Sequence, residues 1–338
     1  MKGEISRRRN YGPLYSAPMM IWFTAFFLAP IIIIVVYSFL KKGLYGGVEP
    51  VFSLESYRSL GNSNYVIVAF RTIFISLVTT VITILVALPC GYYMARSRRQ
   101  TLLLLLVIIP FWTNFLIRVF AWMNILGSNG FVIEFLNRTN LMGAYLRAAG
   151  ALVHVGEIIE GGIKYLIRNE AVIEFLADIG VFHRSQGDLT MFLYNQNAVI
   201  LVLIYMYLPY AILPLFATID KFDFSLLEAA RDLGATKLES VIKVLLPNVR
   251  GGIYTAVLFT FIPIFGAYTV PLIVGGMNSY MLGNVIADQL LKSRNWSLAS
   301  AFSMVLTVVT TAGVIVMMNL QRRDARLAEV SRKNGGVL

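Results

Sequence analysis

Long apolar runs, each bounded by polar or charged residues, leave this chain few folds to choose from. They lie at about residues 17–39, 65–95, 101–126, 197–218, 252–276 and 298–320, and each approaches or exceeds the roughly 20 residues a helix needs to cross the hydrocarbon of a bilayer. Of the 338 residues, 57% are hydrophobic and only 14% charged, and the mean hydropathy is +0.71. A water-soluble globule of that composition would expose large apolar patches. The expected fold class is all-α, a polytopic membrane protein of six transmembrane helices forming a single domain over residues 1–338. The first run is longer than the roughly 7–15 apolar residues of a secretory leader and has no small-x-small site after it, so it reads as an uncleaved span.

Placement of the basic residues sets the expected orientation, because short cytoplasmic loops are enriched in Lys and Arg. Lys2, Arg7, Arg8 and Arg9 precede the first run, and Arg96, Arg98 and Arg99 follow the second. Lys221, Arg231, Lys237, Lys243 and Arg250 lie between the fourth and fifth, and Arg322, Arg323, Arg326, Arg332 and Lys333 follow the sixth. Both termini and residues 220–250 are thus expected in the cytoplasm. The net charge of +11 reads as membrane topology, with lipid as the surrounding partner and no nucleic acid. Residues 127–196 are then an enlarged external insertion between the third and fourth spans. Within it, Ala144 to Gly156 is apolar but, at about 13 residues, too short to cross, and reads as a surface helix. VIEFL occurs at Val132–Leu136 and again at Val172–Leu176, which is either a small duplication or a coincidence of two amphipathic turns.

The chemistry of the chain points away from catalysis. A lone Cys90 cannot form an internal disulfide or a cysteine metal cluster. His154 and His183 have no ligand pattern around them. There is no H-E-x-x-H, no G-x-S-x-G and no G-x-x-x-x-G-K-[ST], and the apolar runs hold almost no carboxylate for acid or base work. The chain is therefore expected to be no enzyme and to hold no cofactor or metal. Energy, if used, comes from a separate protein.

The polar stretch SLLEAARDLGATKLESVIKVLLP, Ser225 to Pro247, carries two helix-start signals. Ser225 with Glu228, and Thr236 with Glu239, have the spacing of a capping box. Gly234 stands between them, where a left-handed residue would end the first helix. The 3.6-residue period puts Leu226, Ala230 and Leu233 on one face of the first helix, and Leu238, Val241, Ile242, Leu245 and Leu246 on one face of the second. Small Ala229 and Ala230 beside Glu228, Arg231 and Asp232 suit a knob gripped by another protein. An amphipathic loop lying on the membrane fits the same pattern.

Inside the membrane, helix breakers and polar groups gather in the third and fifth runs. Treated as one helix, the third places Phe111, Asn114, Arg118 and Trp122 on a single stripe. Arg118 either snorkels to headgroups or faces a pathway, and the neighbouring Trp112 reads as packing, interfacial anchor or cavity wall. In the fifth run Pro263, Gly266, Pro271, Gly275 and Gly276 are expected to break the helix, and broken backbone at that depth is tolerated where it is buried or lines a cavity. Tyr268 in the break reads as cavity lining or core packing. Asp288 and Gln289 add polar groups at the outer mouth, and Pro89 and Gly91 are expected to kink the inner end of the second span.

Glu228, Ala229, Ala230, three residues, Gly234, nine residues, then Val244, Leu246 and Pro247 resembles the EAA motif of ABC-importer permeases, EAA-x3-G-x9-I-x-L-P, with Val244 in place of isoleucine. PFWTNFLIR at Pro110 to Arg118, LLEAARDLGA at Leu226 to Ala235, and GNVIADQLLKSRNWSLASA at Gly283 to Ala301 are similar to the B-type permeases of spermidine/putrescine importers. The likeness covers the six spans and fails across about residues 137–190. It implies a type I ABC importer permease fold in the bacterial inner membrane. It also implies a second homologous permease subunit, two ATPase subunits that bind ATP and Mg, and a periplasmic solute-binding protein. The coupling loop at 220–250, with Glu228, Ala229, Ala230, Arg231, Asp232, Gly234, Leu246 and Pro247, would dock on the ATPase. Trp112, Asn114, Arg118, Tyr268 and Asp288 are the candidates for the translocation pathway. A permease for another amine-bearing or organic-acid solute, or a non-transporting membrane scaffold, are the alternative functions.

Overall fold

The computed structural model describes residues 12–128, 130–139, 192–276 and 279–333. Among them are six helical stretches long and apolar enough to cross a membrane: Tyr15–Ser38, Asn64–Arg96, Phe115–Phe135, Gln196–Ile219, Lys237–Phe265 and Trp296–Arg323. A shorter apolar stretch, Gln100–Trp112, precedes the third. Most of the 127–196 insertion lies outside the described residues, with its surface-helix reading, both histidines and the second VIEFL, as do Lys2, Arg7, Arg8 and Arg9. The first VIEFL falls in the helix Phe131–Arg138.

Two compact units divide the chain, Met1–Gly61 with Asp288–Thr307 and Asn62–Ala287 with Val308–Leu338. In the smaller unit, span 1 ends at Ser38 and a hairpin pairs Leu40–Lys42 with Val48–Phe52. Ser297, at the start of the last helix, donates to the Leu40 carbonyl and shares a 2.7 Å hydrogen bond with the Ser56 hydroxyl. Tyr37 stacks on Trp296 with ring centroids 6.3 Å apart.

The larger unit is built on the helix Ser63–Arg96, against which Gln196–Ile219 packs along much of its length, with Leu246–Phe265 beside both. Ser63–Arg96 buries a stripe of small hydroxyls, Thr72, Ser76, Thr79, Thr80 and Thr83. Small side chains let helix backbones approach closely where lipid offers no hydrophobic drive between helices. The helix continues through Pro89 and Gly91 to Arg96. Two apolar clusters follow. One gathers Ile75, Val119, Leu126, Val199, Val202, Leu203, Ile264 and Val270; the other gathers Ala87, Met94, Ile212, Leu215, Ile219, Leu227, Leu245 and Val249. Leu103, Leu104 and Val107 pack on the second cluster and Val119 and Leu126 belong to the first, so the segment Gln100–Leu126 runs from one end of the bundle to the other.

Within that segment the helix is not continuous. Gln100–Ile108 gives way to a 3-10 turn at Ile109–Trp112, and a new helix runs from Phe115 to Leu126. Pro110 explains the break, since its ring excludes a regular helix there. The single stripe of Phe111, Asn114, Arg118 and Trp122 therefore does not form: Phe111 lies in the 3-10 turn and Asn114 caps the new helix, its side-chain oxygen accepting the Leu116 N–H at 2.8 Å.

The fifth span also departs from expectation. Pro263 stays inside a helix, Leu246–Phe265, and the break falls at Gly266–Tyr268 before a short helix Thr269–Val274. Pro271 is tolerated because it sits in that helix's first turn, where an N–H has no intrahelical partner. Asn284, fully buried, clasps the break: its Nδ2 donates to the Tyr268 carbonyl at 3.0 Å and its Oδ1 accepts the Met281 N–H at 3.1 Å. Next to it the Leu282 N–H reaches the Thr72 hydroxyl at 2.9 Å. Gly283 permits the approach, because a Cβ there would stand 2.6 Å from the Ala267 carbonyl oxygen.

Replacing Asn284 by Leu keeps the volume but leaves the Met281 N–H without its acceptor and strips the Tyr268 carbonyl of one of two donors, the Leu272 N–H remaining at 3.1 Å. Each such loss is worth about 1–3 kcal/mol, so thermal unfolding of the purified protein in nanodiscs should shift down by several degrees, with Asn284→Gln less affected than Asn284→Leu.

Candidate functional site

Residues 220–250 fold as a knob between two spans. After Ile219 the chain turns at Asp220 and Phe222, whose N–H groups bond to the Phe216 and Ile219 carbonyls, and the helix Ser225–Asp232 begins. Ser225 does not cap it. The Asp223 carboxylate, two residues earlier, accepts the Ser225 N–H at 3.0 Å and forestalls the expected Ser225/Glu228 box. Bonds from the Ser225 hydroxyl and amide hold the Asp223 carboxyl below its usual range. The helix ends in a Schellman turn: Ala235 N–H bonds to the Ala230 carbonyl at 3.0 Å and Gly234 N–H to that of Arg231 at 2.9 Å, with Gly234 at φ +90°.

The second box forms as expected. Thr236 Oγ1 accepts the Glu239 N–H at 3.2 Å, and Glu239 Oε2 accepts the Thr236 N–H at 2.9 Å. Lys243 adds a 3.2 Å ion pair to Glu239. The helix Lys237–Ser240 passes through a wider π turn, Val241–Leu245, into Leu246–Phe265. Pro247 therefore does not end the knob; it sits within the helix that runs on into span 5, two residues past the π turn, whose wider ring accommodates it. The apolar span proper begins beyond Arg250.

The faces of the knob also differ from the simple period. Leu227, 1% exposed, is the buried anchor, packed in the cluster with Ile219, Leu245 and Val249, whereas Leu233 is 89% exposed. Leu233 is the cap residue, which the Schellman turn swings out of the helical row. Leu238 and Ile242 are exposed as well. The outer surface thus offers Glu228, Ala229, Asp232, Leu233, Gly234 and Pro247 to solvent, with Ala230, Arg231 and Leu246 half-buried.

A bracket that the sequence did not reveal fastens this knob to the second span. Phe224 meets Tyr92 edge-on at 6.0 Å and Phe222 at 5.5 Å. The Arg96 guanidinium lies 5.3 Å from the Phe224 ring centre and donates to the Tyr92 hydroxyl at 3.0 Å. Gln100 Nε2 donates to Asp220 at 3.1 Å and to the Ala95 carbonyl at 2.8 Å. The visible signal was the i, i+4 pair Tyr92/Arg96 at a helix end and the aromatics flanking Asp223.

At the break in the third crossing, Arg118 lies beneath aromatic rings, its guanidinium carbon 5.7 Å from Phe111 and 6.0 Å from Phe115. Phe111 meets Tyr210 at 4.9 Å and Trp122 meets Tyr205 at 5.3 Å, bringing two span 4 tyrosines to this site. Trp112 stands apart, 79% exposed. Asn114 is exposed. Tyr268 is tied by its backbone to Asn284. Asp288, in the helix Leu282–Leu291, pairs with Lys292 at 2.7 Å. Among the described residues no group of His, Cys, Asp or Glu is arranged to hold a metal ion, and Cys90 is a free thiol.

Six apolar helices with a helical knob between the fourth and fifth define a transport permease. The chain belongs to the family described as the binding-protein-dependent transport system inner membrane component, which matches residues 84–326. It is thus an integral inner-membrane subunit of an ABC importer, a family in which ATP is hydrolysed by a separate subunit and solute arrives on a binding protein. It is 29% identical over 303 residues to the spermidine/putrescine transport system permease protein PotB of Escherichia coli, covering 89% of this chain and 94% of that one. To PotB of Haemophilus influenzae it is 30% identical over 311 residues, covering 91% and 93%. The Escherichia coli inner membrane ABC transporter permease protein YdcU is 27% identical over 285 residues, covering 82% and 79%. The crystal structure of a bacterial ABC transporter involved in import of the acidic polysaccharide alginate superimposes with a TM-score of 0.63 at 15% identity, over 93% of this chain and 96% of that one. At that identity the likeness speaks to fold.

The box at Thr236 lowers the Glu239 carboxyl from its usual 4.5 to about 2, through the Thr236 amide first, then its hydroxyl and Lys243. A depressed acid contributes stability that is present above its unfolded value and is lost as pH falls through the folded one. The helix start should therefore loosen only between about pH 4.5 and 2. Carbon-13 titration of Glu239 should show a midpoint near 2, rising only part of the way to 4.5 in Thr236→Val, which removes the hydroxyl but keeps the backbone amide and Lys243.

Proposed function

We propose that this chain is one of two homologous permease subunits of an importer for polyamine-class solutes, taking spermidine- or putrescine-like cations from a periplasmic binding protein. The observation that carries this reading is the identity of 29–30% to spermidine/putrescine permeases along nine tenths of both chains. Both termini and the knob face the cytoplasm, in keeping with the basic residues after spans 2 and 6 and around the knob.

The knob is the coupling element. Its exposed Leu233, flanked by Glu228, Ala229, Arg231, Asp232 and Gly234, is the surface presented to a cleft of the ATPase, where ATP and Mg are bound. Half-buried Ala230 and Leu246, with exposed Pro247, complete the coupling set. Because Leu227 and the Phe224 bracket fix the knob to spans 2 and 4, and its second helix runs on into span 5, a displacement at the ATPase moves all three together. Such rigid-body rocking is how packed helices convert a docked push into alternating access. Trp112, Asn114, Arg118, Tyr268 and Asp288 are the pathway candidates. The exposed face of Trp112 suits an ammonium through the cation–π interaction. A second solute class, organic acids, is favoured by one observation, the cationic Arg118 within spans that hold no carboxylate.

Uptake of labelled spermidine and putrescine into cells expressing the permease with its second subunit, ATPase and binding protein should be saturable and competed by other polyamines. Competition by organic acids and not by polyamines would overturn the solute class. In the same cells Gly234→Pro or Glu228→Lys should abolish uptake while the protein remains inserted, and Gly234→Ala should lower it mildly. A Cβ there meets nothing within 4 Å, leaving only the left-handed strain of about 1–2 kcal/mol. Normal uptake by the first two variants would remove the coupling assignment.

A further inference from the structure

Arg118 is a cation in a set of apolar spans that hold no carboxylate. Not one Asp or Glu occurs in residues 12–39, 64–96, 100–126, 196–219, 251–276 or 296–320. Arg118 lies eight positions before Leu126, the end of its helix, or about 12 Å along it at 1.5 Å per residue. The side chain turns away from that end, toward Phe111 and Phe115, and so lies along the apolar run 101–126. Its Nε is buried and has no hydrogen-bond partner. Phe111 and Phe115 cover it, and rings of that kind stabilise a cation but accept none of its N–H bonds in the plane of the fork. A charge at this depth is paired in almost every case. The planar fork of an arginine matches a carboxylate.

We infer that Arg118 is a carboxylate-binding site completed by an Asp or Glu of the second permease subunit, a pairing that rests on the two-permease reading above. Arg118 is itself only half-buried, and Ile117 next to it on the helix is exposed, so a second subunit packed along this side can reach the guanidinium. Charge complementarity selects the partner: the chain supplies the cation and the aromatic cover, and the neighbour supplies the acid. The same pairing explains how a permease whose own spans lack acids can serve a polycation. Arg118 holds the neighbour's carboxylate ionised at membrane depth, and a solute ammonium competes with the guanidinium for it.

The test is a double-mutant cycle in the assembled transporter in nanodiscs, pairing Arg118→Gln with Asn or Gln replacements of each membrane-depth Asp and Glu of the second permease in turn. The melting midpoint of the complex and polyamine uptake are both read. Arg118→Gln should lower uptake about tenfold or more and the midpoint by at least about 3 °C, with Arg118→Lys recovering part of each. For one acid, the double variant should be no worse than either single one, and Arg118→Glu with that acid changed to Arg should recover assembly. Additive effects at every acid would overturn the inference, as would an unchanged Arg118→Gln complex. Protection of the wild-type complex by an organic acid, lost in Arg118→Gln, would place the carboxylate on the solute and overturn it too. If the wild-type transporter carries no polyamine, the solute class fails while the midpoint cycle still decides the pairing.

Discussion

Inside hydrocarbon a backbone amide that leaves its helix has no water to turn to, and the architecture of this permease follows from that constraint. Among the described residues the chain interrupts its apolar helices at two places, after Ile108 and after Phe265, and side chains take over at both. Asn114 accepts the Leu116 N–H after the 3-10 turn. Asn284 and Thr72 take the Tyr268 carbonyl and the Met281 and Leu282 amides around the fifth-span break. Two asparagines and a threonine thus permit the polar and aromatic side chains at Arg118 and Tyr268 to be displayed on backbone that would otherwise be forbidden. Close approach by Gly283 is part of the same arrangement, since the clasp works only if its helix can reach the broken backbone.

The knob between spans 4 and 5 obeys a different logic, being exposed on one side and anchored on the other. Its local stops and starts are made by short-range bonds, the Asp223 and Thr236 caps and the Schellman turn at Gly234. Its attachment is made by Leu227 inside the apolar cluster and by Phe224 between Tyr92 and Arg96. Separating these two tasks leaves Leu233, Leu238 and Ile242 free of intramolecular duty. They are the apolar part of the surface proposed above to meet the ATPase.

Much of this was legible because the signals were either compositional or local. The apolar runs announced the helices, and Thr236 with Glu239 and Gly234 announced their cap and turn. The misreadings share one origin, in that period counting assumes an unbroken helix. Arg118 and Phe111 do meet, yet across a 3-10 turn and by cation–π contact, while Asn114 turned from stripe member to cap. Ser225 forms no box with Glu228 because Asp223 already accepts the Ser225 amide, and spacing alone does not rank the two carboxylates. Leu233 pointed outward since it lies past the last helical residue. The Phe224 bracket was hidden for another reason, being a contact between segments far apart in sequence.

The π turn at Val241–Leu245 has a geometric consequence of its own. It ends two residues before Pro247, just as the π turn Thr24–Leu28 in span 1 ends two residues before Pro30. In both places the wider ring moves aside the carbonyl that the proline would strike. Such a turn holds one residue more than the helix around it, and each α-helical residue advances the chain by about 100° around its axis. The surplus residue therefore acts as an indexing pin: it sets the azimuth at which the knob leaves span 5, and so the compass bearing of Leu233 and Glu228 beneath the membrane.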